Sequence, residues 1–120
     1  LVEIIEACID GTLDKLDIEW HSGAAATVVM ASAGYPGRYE KGFPITGIEE
    51  AEKLSGVVVF PAGISLSGST AQTSGGRVLG VSAVGKDLRE ALDRAYAGVS
   101  KIHFNGMQYR KDIGKKVFMV

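Results

Sequence analysis

The spacing of apolar residues changes along the chain between a helical period and an extended one. Near the start, apolar residues recur every three or four positions with acidic residues between them, at Val2, Ile5, Cys8 and Ile9. Gly11 follows, and glycine commonly ends a helix in a left-handed conformation. This pattern predicts a short N-terminal helix. We expect Cys8 to be buried in it rather than reactive, because neighbouring carboxylates disfavour a thiolate.

Three apolar segments bounded by glycines predict β-strands at residues 24–32, 57–60 and 77–85. The first contains many alanines and β-branched residues and few polar ones, so we expect it to be buried. Residues 64–73 are polar and β-prone, and Gly68 is placed to turn them. We therefore expect a hairpin with an exposed tip.

Two further helices are predicted from capping boxes, in which a short polar residue precedes a glutamate by three positions. Thr46 and Glu49 have this spacing before a short helix, and Asp87 and Glu90 have it before a longer one. The longer helix, at about 87–102, has one apolar face, formed by Leu88, Ala91, Leu92, Ala95, Tyr96, Val99 and Ile102. Such a face must pack on a sheet.

The order of these elements predicts an α+β fold. We expect a mostly antiparallel sheet or a flattened barrel, covered by the helix at about 87–102, with the short N-terminal helix beside it. The tail predicts short strand-like pieces around Phe104, Tyr109 and residues 117–120.

Composition narrows the class of protein. A chain of 120 residues with 46% hydrophobic residues suits one globular domain, and a net charge of −1 disfavours nucleic acid or an acidic membrane surface as partner. A single cysteine forms no internal disulfide, which fits a reducing compartment. His21 and His103 stand apart from other metal-binding residues, so no metal site is predicted. The longest apolar run is too short to cross a bilayer.

A glycine- and proline-rich loop follows the first strand, and it is one of two candidate binding elements. Gly34 permits backbone angles that other residues resist, and Pro36 fixes its own φ, so the loop can present Tyr35 from a rigid frame. The loop could close a ligand cleft or simply pack on its own domain, and both interpretations stay open.

The second candidate element is the sequence Gly75, Gly76, Arg77. Two glycines let backbone amides approach an anion, and a guanidinium can bind phosphate oxygens with two hydrogen bonds. The alternative is a tight turn followed by an outward arginine at the start of a strand. Arg110 and Asp112 lie two residues apart, and we expect them to form a surface or interdomain ion pair.

Three segments in this order, residues 31–47, 74–81 and 109–114, resemble the C-terminal domain of the phosphoribosylamine–glycine ligases, which belong to the ATP-grasp ligases. The resemblance implies an ATP-dependent, cytoplasmic enzyme of purine synthesis that joins glycine to 5-phosphoribosylamine. It implies that residues 1–14 link to an ATP-grasp domain absent from this sequence and that residues 15–120 form the C-terminal domain. ATP and Mg²⁺ would be bound mainly by the absent part, and this chain would supply no catalytic residue and be inactive alone.

By the same resemblance, six residues of this chain bind substrate: Gly34, Tyr35, Pro36, Gly75, Gly76 and Arg77. Arg77 would hold the phosphate of the ribose substrate. The chain departs from the family pattern where a histidine and a threonine are usual, since Pro61 and Ile64 stand there and neither can donate a side-chain hydrogen bond. Arg38 replaces a usual acidic residue, and the ending at residues 115–120 also differs.

Two other function classes remain as alternatives. The chain could be a stand-alone binding or interaction module without catalysis. A biotinyl or lipoyl carrier would present a modifiable lysine at a hairpin tip, but residues 64–73 contain no lysine, which disfavours that class.

Overall fold

The computed structural model describes residues 1–119 and contains three α-helices and five strands. The helices are α1 (Val2–Asp10), α2 (Ile48–Glu52) and α3 (Leu88–Lys101). The strands are β1 (Ala24–Ala31), β2 (Val57–Pro61), β3 (Ile64–Ser67), β4 (Thr70–Thr73) and β5 (Arg77–Gly85). Two short 3₁₀ helices occur at Leu13–Lys15 and Lys115–Phe118.

The strands form two antiparallel sheets. In the larger sheet β5 is central and pairs with β1 on one side and β2 on the other. Strands β3 and β4 form the expected hairpin, with Gly68 in a left-handed conformation at its tip. The α+β class and the antiparallel sheet are confirmed, and the sheet is open rather than closed into a barrel.

Helix α3 covers one face of the larger sheet, as its apolar face predicts. Met30 and Val81 of the sheet are buried against Ala95 and Val99 of the helix. Gly98 permits this close approach, because a Cβ at that position would lie 2.7 Å from a methyl carbon of Val81. The packed helix and sheet form the core that holds the loops of the candidate site.

The opposite face of the larger sheet, which we call the outer sheet face, is exposed. Val29 of β1 is 46% exposed, whereas its neighbours Val28 and Met30 are completely buried. The expectation of a fully buried first strand was therefore wrong, because an antiparallel sheet covered on one side buries only alternate residues. The outer sheet face includes five side chains that are exposed and uncharged: Thr27, Val29, Val58, Phe60 and Val84.

The N-terminal helix is confirmed, and it ends at Gly11 with φ 66°. The expected burial of Cys8 was wrong, because the helix buries Ala7 while the Cys8 side chain is exposed. The apolar residues Val2, Ile5 and Ile9 are exposed as well.

Only one of the two predicted helix caps forms. The Asp87 carboxylate accepts a hydrogen bond from the backbone N–H of Glu90 at 2.9 Å, as a helix cap requires. The helix α2 starts instead from Gly47, with no side-chain cap, so the first capping box was wrong. Thr46 is engaged elsewhere, since it forms a β-bridge with His103.

The tail is less regular than expected. Residues 117–119 do not form a strand, because Gly114 turns the chain and a 3₁₀ helix follows; residue 120 lies outside the described residues. Near the other two predicted pieces, the chain forms single bridges, between His103 and Thr46 and between Gln108 and Ala31. Phe104 lies between these bridges and is buried in the core.

Candidate functional site

The loop that follows β1, residues 32–37, which we call the Tyr35 loop, is fixed to the glycine pair at residues 75–76. The backbone N–H of Ser32 donates to the carbonyl oxygen of Gly76 at 2.8 Å. Its hydroxyl donates to the carbonyl oxygen of Gly75, also at 2.8 Å. Ser32 is buried, so both hydrogen bonds are shielded from water. The two candidate elements identified from the sequence are therefore joined in the structure.

The Tyr35 ring lies directly against Gly76. A Cβ on Gly76 would lie 2.1 Å from the Cδ2 atom of that ring, far inside an ordinary contact distance. Gly34, before the tyrosine, has φ 88°, a conformation that favours glycine, and the Tyr35–Pro36 peptide bond is cis. The loop is thus shaped to place the tyrosine ring on the glycine.

Gly75 also has a packing reason to be glycine. A Cβ at Gly75 would lie 3.0 Å from the Cα of Gly63, and a Cβ at Gly63 would lie 2.6 Å from the Cα of Gly75, so the two backbones touch. The N–H of Gly63 donates to the carbonyl oxygen of Arg77 at 2.9 Å, and the N–H of Ser74 donates to the carbonyl oxygen of Gly63 at 2.8 Å. The glycine pair is accounted for by close packing, in agreement with the alternative of a tight turn before an outward arginine.

A bulge in β5 determines where Arg77 points. Met30 pairs with Leu79 while the next residue, Ala31, pairs with Arg77, so Val78 is the extra residue. Val78 and Leu79 are both buried although they are consecutive. Without the extra residue, strict alternation would turn Arg77 inward; the bulge leaves it exposed, beside the Tyr35 loop.

Tyr35 and Arg77 line two adjoining clefts. The larger has a volume of about 690 Å³, and Gly76 and the apolar residues Phe60 and Pro61 also contribute to it. The smaller, of about 360 Å³, adds Gln108, Tyr109 and Arg110 from the tail. Of the six predicted binding residues, Tyr35, Gly76 and Arg77 line a cleft; the remaining three, Gly34, Pro36 and Gly75, line neither of the two.

The cleft walls are uncharged or positive. Neither lining includes a carboxylate or a histidine. Within residues 1–119 the salt bridges are Arg94 to Glu90 and Arg110 to Asp112, so no carboxylate of this range neutralises Arg77. Pro61 lines the larger cleft at the position where the resemblance led us to expect histidine, which removes a side-chain donor from that wall.

The expected pairing of Arg110 with Asp112 is confirmed. The guanidinium donates twice to the carboxylate, at 3.0 Å and 2.8 Å. This hydrogen-bonded contact raises the pKa of Arg110 and lowers the pKa of Asp112 from their ordinary values. Both side chains are largely exposed, so the pair contributes little stability.

The sequence analysis missed Gln108. Its side-chain amide donates a hydrogen bond to the carbonyl oxygen of Ser32 in the Tyr35 loop. Ser32 lies 76 residues earlier in the chain. Nothing in the local sequence signals a contact over that separation.

The arrangement of Tyr35 and Arg77 is suited to holding a ligand. A cationic side chain beside an aromatic ring can hold an anionic, partly planar ligand. Across residues 1–119, no group of three or more His, Cys, Asp or Glu side chains could hold a metal ion. No helix in this range has the length and apolar character needed to cross a membrane.

Comparison with known proteins agrees with the sequence resemblance. Residues 25–116 match the model of the family described as phosphoribosylglycinamide synthetase, C domain. The chain is 50% identical over 117 residues to phosphoribosylamine–glycine ligase of Synechocystis. The matched region is 97% of this chain and 28% of that protein. It is 49% identical over 115 residues to the trifunctional purine biosynthetic protein adenosine-3 of Gallus gallus. That match includes 95% of this chain and 11% of the Gallus gallus protein.

A solved structure shows the same fold. The crystal structure of phosphoribosylamine–glycine ligase from Thermotoga maritima matches 91% of this chain and 27% of its own chain, with a TM-score of 0.71 and 35% identity. The present chain thus spans little more than a quarter of these ligases. Sequence and structure together show that the chain belongs to the phosphoribosylglycinamide synthetase C-domain family.

Proposed function

We propose that this chain is the C-terminal domain of a phosphoribosylamine–glycine ligase and forms one wall of its substrate cleft. The observation that carries the proposal is the meeting of Tyr35, Gly76 and Arg77 at clefts without carboxylates, in a domain 50% identical to that ligase. The parent enzyme would act in the cytoplasm, in purine nucleotide synthesis.

The proposed reaction assigns this domain a positioning role. ATP phosphorylates glycine, the amine of phosphoribosylamine attacks the carbonyl carbon of glycyl phosphate, the amide bond forms, and phosphate leaves. Arg77 would bind the ribose phosphate and Tyr35 would pack on the sugar, which holds the amine near the acyl group. Binding energy at a remote phosphate then lowers the entropic part of the barrier.

The phosphoryl chemistry is assigned to the rest of the polypeptide. Transfer from ATP needs Mg²⁺ and residues that hold the triphosphate. The described residues offer no cluster of carboxylates suited to that ion. Because the chain spans only 28% of the Synechocystis ligase, we assign ATP and Mg²⁺ to an ATP-grasp domain joined through residues 1–14. Residues 15–120 would then form the C-terminal domain, and we expect the isolated chain to be inactive.

Exposed apolar surface supports an interdomain role. Val2, Ile5 and Ile9 of α1 are exposed, and so are Phe60 and Val84 of the outer sheet face. Exposed apolar residues gathered on one face commonly mark an interface. The outer sheet face adjoins the larger cleft through Val29 and Phe60, so a domain packed there would close that cleft.

The proposal is tested by replacing Arg77 with alanine in a full-length ligase that contains this domain. A hydrogen bond to a charged group contributes about 1.5–3 kcal/mol, so KM for phosphoribosylamine should rise roughly 10- to 100-fold. KM for ATP should stay the same. The control is Arg89→Ala, which removes a guanidinium that stacks on Phe118, away from the clefts.

Two results would contradict the proposal. An unchanged KM for phosphoribosylamine in Arg77→Ala would exclude the phosphate role of Arg77. Absence of glycine-dependent ADP formation by the full-length protein would exclude the ligase, and the alternative of a binding or interaction module would replace it.

A further inference from the structure

One side chain of the tail holds the Tyr35 loop at two points. The Nε2 atom of Gln108 lies 2.8 Å from the carbonyl oxygen of Ser32 and 3.1 Å from that of Tyr35. Both partners can only accept, so the amide group facing them must be the donor NH₂, whose two protons match two acceptors. The orientation of the amide follows from this chemistry.

The backbone fixes the position from which Gln108 reaches. Gln108 and Ala31 form a β-bridge: the N–H of Ala31 donates to the carbonyl oxygen of Gln108 at 2.8 Å, and the reverse bond measures 2.9 Å. Ala31 is the last residue of β1, immediately before the loop. The backbone of Gln108 is therefore held at the end of β1, and its side chain extends over the start of the loop.

The two contacts bear directly on the proposed cleft. The Ser32 carbonyl belongs to the residue that fixes the loop to Gly75 and Gly76, and the Tyr35 carbonyl belongs to the residue whose ring covers Gly76. Gln108 itself lines the smaller cleft together with Tyr35 and Arg77. A change in its hydrogen bonds would move the tyrosine relative to the arginine.

We propose that Gln108 is a positioning residue for the amine substrate, which holds the Tyr35 ring at a fixed distance from Arg77. The inference rests on the proposed ligase function and adds a positioning residue to it. Gln108 is exposed, so its hydrogen bonds add little to global stability. Its effect should appear in substrate binding and in local opening of the loop.

The test uses Gln108→Met in a full-length ligase that contains this domain. Methionine has a similar length and cannot donate a hydrogen bond. We expect KM for phosphoribosylamine to rise about 5- to 20-fold, which corresponds to the loss of one or two hydrogen bonds. The KM values for ATP and glycine and the thermal midpoint should remain within error of the wild type.

A second variant and a matched control sharpen the test. Gln108→Glu places a carboxylate that cannot donate against two carbonyl oxygens, so its KM for phosphoribosylamine should rise at least as much. The control is Gln72→Met, the same substitution in β4, whose side chain lines neither cleft. Its kinetic constants should match the wild type.

Amide hydrogen exchange gives a measurement that does not depend on activity. The N–H of Tyr35 donates to the Ser32 carbonyl at 3.2 Å, and Gln108 shares that acceptor. In Gln108→Met this amide should exchange about tenfold faster than in the wild type, because the loop opens more often. The same amide in Gln72→Met should be unaffected.

The possible outcomes separate the two proposals. A wild-type protein without glycine-dependent ADP formation would overturn the ligase function. An active ligase in which Gln108→Met leaves KM for phosphoribosylamine unchanged would overturn the positioning role, even if exchange at Tyr35 accelerates. A uniform loss, in which all three KM values and the thermal midpoint change together, would also overturn it, because it would show a structural role.

Discussion

The contact between Gly76 and the Tyr35 ring is the most direct test of the site geometry, and Gly76→Ala perturbs it with one methyl group. That methyl carbon would lie 2.1 Å from Cδ2, 2.7 Å from Cε2 and 3.1 Å from Cγ of the ring, whereas carbon atoms in contact are about 3.5–4.0 Å apart. The ring must move. It is 36% exposed and can rotate toward solvent, so the cost should stay within the usual range for overpacking, about 1–3 kcal/mol.

This cost can be measured by thermal unfolding of the domain. For a domain of this size, 1 kcal/mol shifts the midpoint by about 4 °C, so Gly76→Ala should lower it by roughly 4–12 °C. The same substitution made in a Tyr35→Ala background should cost far less, because the ring that obstructs the methyl group is gone. The coupling between the two sites should be about 1 kcal/mol or more. Strictly additive effects would refute the argument that the ring is why residue 76 is glycine.

Three further predictions concern stability and charge. Met30→Ala should destabilise the domain by about 2–5 kcal/mol in chemical denaturation, because Met30 is completely buried under α3. Asp87→Ala should cost about 1 kcal/mol by loss of a helix cap, while Thr46→Ala should cost much less; equal losses would contradict the capping assignment. In a titration followed by NMR, the Asp112 carboxyl should show a pKa below its ordinary value and should return toward that value in Arg110→Gln. Because the folded pKa is lowered, the stabilisation by this pair is present above the unfolded pKa of Asp112 and is lost as the pH falls through the folded pKa.

The candidate site could be predicted from sequence only in part. Tyr35 and Arg77 were identified because glycine-rich loops and a Gly-Arg pair are unusual local features, and the fold places both at the same clefts. Close packing against Gly63 and the Tyr35 ring gives Gly75 and Gly76 a structural reason to be glycine, and anion binding by their backbone amides stays a prediction. Gln108 was missed because a single glutamine carries no local signal.

Short-range sequence patterns were enough to specify several of the helices, strands and turns. The spacing of apolar residues located α3 and β5, and Gly68 marked the turn of the hairpin. Three motifs in the family's order indicated the family. Such features depend on residues within a few positions of one another, and backbone geometry converts them directly into helices, strands and turns.

The roles of individual side chains depend instead on contacts between segments that are far apart in the chain. Thr46 and Asp87 both precede a glutamate by three positions, as a capping residue does, but Thr46 forms a β-bridge with His103 and does not cap α2. The bulge at Val78 turns Arg77 outward although strict alternation in β5 would bury it. These outcomes depend on partners distant in the chain, whose contacts form only when the sheet is assembled. Local patterns therefore specify the parts, and the burial of one face of a shared sheet specifies which side chains meet.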